Sequence, residues 1–151
     1  DPLAPYPARL LTTDAARASL KGFLTGSIDV VLRLPRGSFV VVDYKTNRLP
    51  VPPEQELSVE HYHPSAMAEA MMQAHYPLQA LLYCAALHRF LAWRLPDYSP
   101  GRHLGGVGYL FVRGMAGPGT PVVAGGRCGV FKWFPPAELV VEVSDLLGGG
   151  R

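Results

Sequence analysis

GSIDVVLRLPRGSFVVVDYKTN, residues 26–47, is the stretch whose reading decides the fold. Two runs rich in Val, Ile, Leu and Phe flank Pro35-Arg36-Gly37, where proline fixes φ and glycine tolerates a positive one, so the sequence predicts a β-hairpin. Side chains alternate along a strand, which puts Phe39, Val41, Asp43 and Lys45 on one face and Val40, Val42 and Tyr44 on the other. If Pro35 to Gly37 form the turn, Leu34 pairs with Ser38. Counting back along both strands then sets Ile28 opposite Tyr44 and Asp29 opposite Asp43.

Two carboxylates opposed in a sheet repel each other unless a proton, a base or a metal sits between them. Lys45 balances only one of them. Oxygen ligands on a rigid hairpin suit a hard divalent cation, and magnesium takes one or two carboxylates, keeps several waters and uses phosphate oxygens for the rest. The constellation therefore predicts a phosphodiester-cleaving site. Asp29 and Asp43 would hold Mg2+, with Mn2+ as a substitute and the Tyr44 backbone carbonyl as a further ligand. Lys45 would aim its ammonium at the attacking water or the scissile phosphate. A lone Asp-x-Lys ordinarily marks only a strand end meeting solvent; the opposed Asp29 is what makes the pattern specific.

Further along, Gln79 and Tyr83 lie at i and i+4 on a predicted helix and share a face. Gly26-x-x-Asp29, Asp43-x-Lys45 and Gln79-x-x-x-Tyr83 resemble, in that order, the G-x-x-D, D-x-K and Q-x-x-x-Y series of the PD-(D/E)xK nucleases in their RecB-like branch. The likeness covers roughly residues 20 to 115 and rests on several motifs in order rather than one. It implies a restriction-endonuclease-like α/β core, a mixed sheet of about four strands flanked by helices. It also implies a Mg2+-dependent deoxyribonuclease of double-strand-break repair and recombination, hydrolysing phosphodiesters in single-stranded DNA delivered by a helicase. Its partners would be DNA and RecC-like and RecD-like subunits. Gln79 and Tyr83 would hydrogen-bond a DNA phosphate or hold Lys45 in place, and Arg113, at a strand end, is a candidate phosphate contact.

The sequence departs from that pattern in one respect. RecB-like nucleases resemble one another in having a helix before the hairpin that brings a further metal ligand, a histidine or a glutamate, and no residue before Gly26 fits that role. An alternative of a different class is thus a nuclease-like domain that no longer cuts and serves as a DNA-binding or protein-docking module. No G-x-x-x-x-G-K-[ST] phosphate loop occurs either, so ATP and a motor would belong to another part of a longer polypeptide.

At 151 residues and 48% hydrophobic, the chain is expected to form one domain over 1–151. It opens on Asp1 rather than Met and reads as a piece of something longer. A net charge of +2 is too mild to announce nucleic acid by itself. No membrane span or leader is legible, and a cytoplasmic location is expected. Cys84 and Cys128 are the only cysteines, too few for the four-cysteine iron–sulfur cluster of some RecB-like nucleases, and read as small buried hydrophobes.

The Pro-rich start predicts an extended lead, followed by a short polar helix around Thr13 to Leu20. Prolines 50, 52 and 53 forbid a central strand after Lys45, so a loop is expected to Pro64, with Glu54, Glu56 and Glu60 solvated. His61, His63 and His75 invite a zinc reading, but their spacing and the lack of a cysteine partner favour surface or capping roles. Helices are expected over 65–74, capped by Ser65, and from Tyr76-Pro77 to about Leu95. A turn-rich connector over 97–103 then leads to a strand over 104–113. Gly105, Gly106 and Gly108 in that strand suggest close backbone approach. A short edge strand over 130–134 and an amphipathic helix after Pro135-Pro136, ended by Gly148, complete the chain.

Overall fold

The computed structural model describes residues 1–13 and 25–148. The hairpin forms as β1 (Val30–Arg33) and β2 (Phe39–Lys45), antiparallel, with Val30 opposite Val42 and Arg33 opposite Phe39. Its loop closes through Leu34 N–H to Ser38 O at 2.8 Å and Gly37 N–H to Leu34 O at 2.9 Å. Gly37 sits at φ +87°, the left-handed position that a three-residue hairpin loop demands. The expected register is therefore the observed one over Val30–Arg33; Asp29 lies one residue before this ladder, where its side chain meets the Tyr44 N–H.

β3 (Leu104–Phe111) runs parallel to β2 and pairs Val41 with Val107, Asp43 with Tyr109 and Lys45 with Phe111. β4 (Val122–Val123) and β5 (Gly126–Arg127) make a separate small ribbon, and β6 (Val130–Trp133) closes the main sheet antiparallel to β3. The sheet is mixed, in the order β1-β2-β3-β6, with β6 at its edge. A parallel pair needs a long crossover, and the chain between β2 and β3 supplies it as two helices. These are α2 (Pro64–Gln73) and α3 (Tyr76–Arg94).

Two of the three glycines of β3 meet a neighbouring backbone closely as expected; a Cβ on Gly108 would meet only Val42 Cγ2 at 4.0 Å. Between Phe39 and Val41 the pairing shifts by one extra residue on β3, from Leu104 to Val107. A Cβ on Gly105 would stand 2.9 Å from Phe39 O, and one on Gly106, at φ +83°, 2.6 Å from Trp133 O. Only glycine lets β3 bulge there while wedged between two neighbouring backbones.

The face bearing Val41, Asp43, Val107, Tyr109 and Phe111 carries the core. On α3 the buried positions Pro77, Ala80, Cys84, Leu87 and Leu91 recur at helical spacing and turn one stripe inward, joined by Met67 and Met71 of α2. Cys84 is one of them, and burial pushes its thiol pKa up to about 12, so it packs as a hydrophobe. The last helix, α5 (Ala137–Leu147), packs on α3, where Arg89 Nε donates to Ser144 Oγ at 2.9 Å.

The structure corrects four local expectations. The Pro-rich start is not extended: Tyr6–Leu11 is a short helix, α1, and Leu3 and Tyr6 are buried in the core. The helix expected around Thr13 to Leu20 lies outside the described residues apart from Thr13. The α2 cap is His63, whose Nδ1 accepts Ala66 N–H, because Pro64 occupies the first helical position ahead of Ser65. The loop to Pro64 ends in a 3-10 turn, Val59–Tyr62, whose Tyr62 is fully buried and donates from its hydroxyl to Asn47 O at 2.8 Å. The connector before β3 holds a single helical turn, α4 (Pro100–His103).

Candidate active site

β2 and β3 run side by side and end together, and this end of the sheet gathers the charged residues. Asp43 is the last inward residue of β2 before Lys45 and is only 4% exposed. The Lys45 ammonium stands 2.6 Å from Asp43 Oδ2, at an angle outside hydrogen-bond geometry, so Oδ2 is buried without a donor. The buried carboxylate is balanced by the ion pair with Lys45.

Asp29 reaches β2 from just before β1. The ladder stops at Val30, and Asp29 Oδ2 accepts the Tyr44 N–H at 3.0 Å in place of a backbone carbonyl. A strand residue sends its N–H and C=O to the same side, so the Tyr44 carbonyl also leaves β2 toward Asp29. Asp29, Asp43 and the Tyr44 carbonyl thus offer oxygen donors at this end of the sheet. That donor set fits a hard divalent cation. Among the described residues no three His, Cys, Asp or Glu side chains come together.

Lys45 is held from the helical side. Its Nζ donates to Gln79 Oε1 at 3.0 Å, and Gln79 Nε2 donates to Tyr83 Oη at 3.0 Å. Gln79 thus links Lys45 to Tyr83. Arg113 lies beyond the end of β3, with Nε donating to Thr46 O at 2.9 Å and the guanidinium exposed at the same end of the sheet as Lys45.

Three residues at this site escaped the reading of the sequence. Tyr109, paired with Asp43 across the parallel ladder, donates to Gln79 Oε1 at 3.3 Å and to Tyr76 O at 3.2 Å. Burial first, and the Asp43 carboxylate second, raise its phenol well above the ordinary tyrosine pKa, which keeps it a donor. Tyr76 lies under Lys45 and donates from its hydroxyl to Asn47 Oδ1 at 3.1 Å. Tyr76 stands one helical turn before Gln79, a signal the sequence carried; Tyr109 and Asn47 become legible only with the β2–β3 register.

The profile of the PD-(D/E)XK nuclease superfamily matches residues 5–128 of this chain. The chain is 56% identical over its whole length to the RecBCD enzyme subunit RecB of Mycobacterium tuberculosis, of which it covers 13%. Over 97% of its length it is 55% identical to the RecBCD enzyme subunit RecB of Mycolicibacterium smegmatis, again 13% of that protein. To the RecB subunit of Escherichia coli it is 36% identical over 86% of its length, covering 10% of the relative. The chain therefore spans about an eighth of the length of the mycobacterial relatives it matches.

Proposed function

The chain belongs to the PD-(D/E)XK nuclease superfamily, and from that premise we propose that it is the metal-dependent DNA-cleaving domain of a RecBCD-type repair and recombination enzyme. The observation that carries this is the buried Asp43 carboxylate, whose Oδ2 lies 2.6 Å from the Lys45 ammonium, beside Asp29, which accepts the Tyr44 N–H. The domain would extend over 1–151. Asp29, Asp43 and the Tyr44 carbonyl would hold Mg2+, or Mn2+ in its place. When bound, the ion lowers the pKa of a coordinated water and offsets charge building on the phosphate.

The chain's own groups do the rest. Lys45 presents its ammonium to the attacking water or to a non-bridging phosphate oxygen, where positive charge stabilises the transition state more than the ground state. Gln79, itself held by Tyr83, fixes where that ammonium points. Arg113 supplies a second cation to the DNA backbone at the rim. The relatives' name, RecBCD enzyme subunit RecB, supports RecC-like and RecD-like partner subunits, and a cytoplasmic location goes with this reading. ATP would be used by a helicase part of the longer polypeptide.

The test is cleavage of labelled single-stranded DNA with Mg2+ or Mn2+ by this chain, by its Lys45→Ala form and by a version extended at its N-terminus. Metal-dependent cutting that falls about 100-fold in Lys45→Ala is the expected result. Greater activity on extension would locate a further ligand upstream. If the extended protein binds DNA and never cuts it with either ion, the docking-module alternative takes over.

Gln79→Leu separates its two candidate roles. With the side chain positioning Lys45, kcat falls about 10- to 100-fold while KM for DNA stays near the parent value. A rise in KM with unchanged kcat would instead make Gln79 a phosphate contact.

A further inference from the structure

Lys45 makes two contacts beyond Asp43 and Gln79, and neither is accounted for by the family motifs. Its ammonium lies 3.9 Å from the centre of the Tyr76 ring and 5.2 Å from that of Tyr109. The two rings are nearly parallel, 13° apart with centroids 5.9 Å from each other. Each is fixed at its rim: Tyr76 Oη donates to Asn47 Oδ1, and Tyr109 Oη donates to Tyr76 O and Gln79 Oε1. Tyr76 is also fixed at its backbone, because it opens α3 directly after His75, whose φ is +54° and whose Nδ1 lies 3.2 Å from Tyr6 Oη.

We propose that Tyr76, seconded by Tyr109, is a positioning residue that holds the Lys45 ammonium at the catalytic end of the sheet through the face of its ring. An ammonium over an aromatic face is attracted by the ring's negative quadrupole, and the attraction strengthens where water is excluded. The Lys45 side chain is 11% exposed, so that condition is met. A flexible four-carbon stem would otherwise let the charge follow Asp43 alone. Asp43 draws the ammonium toward the sheet, Gln79 toward α3, and the Tyr76 face closes the third direction. Asn47, two residues past Lys45, ties the ring back to the strand that carries the lysine, so ring and ammonium are set by one short piece of chain.

This inference rests on the nuclease reading for its kinetic arm and on nothing but the fold for its spectroscopic arm. Tyr76→Phe keeps the ring and loses only the Asn47 hydrogen bond; Tyr76→Leu keeps bulk and loses the face. The expected result is kcat within a few-fold of the parent for Tyr76→Phe, and roughly 10- to 30-fold lower for Tyr76→Leu with KM unchanged. In a Lys45→Ala background, Tyr76→Leu should add no further loss, since there is no ammonium left to position. The second readout needs neither metal nor DNA. The chain has three lysines, and in a proton–carbon NMR spectrum the Lys45 εCH2 protons should stand upfield of the other two through the ring current, returning to their range in Tyr76→Leu.

Tyr76→Leu that cuts like the parent, or that loses as much again in the Lys45→Ala background, overturns the proposal. So does a Lys45 εCH2 resonance in the ordinary lysine range in the parent chain. A parent chain that never cuts overturns the nuclease reading instead, and the NMR arm still decides the contact.

Discussion

Asp43→Asn is expected to lower metal-dependent cleavage by at least about 1,000-fold while leaving DNA binding intact or tighter. Asparagine matches aspartate in shape, so the packing around a residue that is 4% exposed is kept. What disappears is one full negative charge, together with the ion pair it makes to Lys45. Two consequences follow from that single change. A divalent ion held as proposed would lose one of its two carboxylates, leaving Asp29, which already accepts the Tyr44 N–H. Lys45 loses its counter-charge 2.6 Å away and keeps only Gln79 and the Tyr76 face.

DNA responds in the opposite direction. A phosphate approaching this end of the sheet meets Asp29, Asp43, Lys45 and Arg113; neutralising Asp43 removes repulsion and leaves both cations. Fluorescence anisotropy of labelled single-stranded DNA in EDTA, at two salt concentrations, measures binding without cutting. Retained binding with lost cleavage is the expected pair of results. Cleavage that survives Asp43→Asn would remove Asp43 from the metal site, and a parent chain that binds without cutting would make the carboxylate pair a remnant on a docking module.

Much of this site was legible because a hairpin converts sequence distance into spatial distance by simple counting. Once Pro35-Arg36-Gly37 is read as the turn, counting gives the observed pairing of Val30 with Val42, and period-two alternation sets Lys45 on the same face as Asp43. The i, i+4 spacing does the same for Gln79 and Tyr83. Tyr109 was not legible, because its position beside Asp43 depends on the offset between β2 and β3, which are joined by a long crossover and shifted by the bulge at Gly105-Gly106. No local rule fixes that offset. The His63 cap and the α1 helix were missed for another reason: the first proline of each segment reads equally as a breaker or as the opening of a helix, and tertiary packing of Tyr6 and Met67 decided between them.

The same crossover makes one small residue outside the site decisive for the fold. Gly114→Ala is expected to destabilise the chain by roughly 3 kcal/mol, at the upper end of the cost of overpacking. Gly114 ends the 3-10 turn that follows β3, and its backbone φ is ordinary, so the argument is one of space alone. A Cβ there would overlap Cβ and Cγ of Tyr62 and stand 2.9 Å from Gly129 Cα. None of these neighbours can yield cheaply. Tyr62 is fully buried, and its hydroxyl is committed to Asn47 O. Gly129 donates its N–H to Tyr62 O at 2.9 Å and accepts Phe111 N–H at 2.8 Å. Three separate segments therefore meet backbone to backbone, and moving Tyr62 to admit a methyl would release the loop that begins just past Lys45. In a domain of this size the cost corresponds to a fall of about 6–12 °C in Tm. Gly119→Ala is the control, since a Cβ there meets nothing within 4 Å. Differential scanning calorimetry of the two variants beside the parent decides the matter. A Gly114→Ala form that melts with the parent would mean that the Tyr62 ring can shift, and with it the Asn47 anchor that Tyr62 shares with Tyr76.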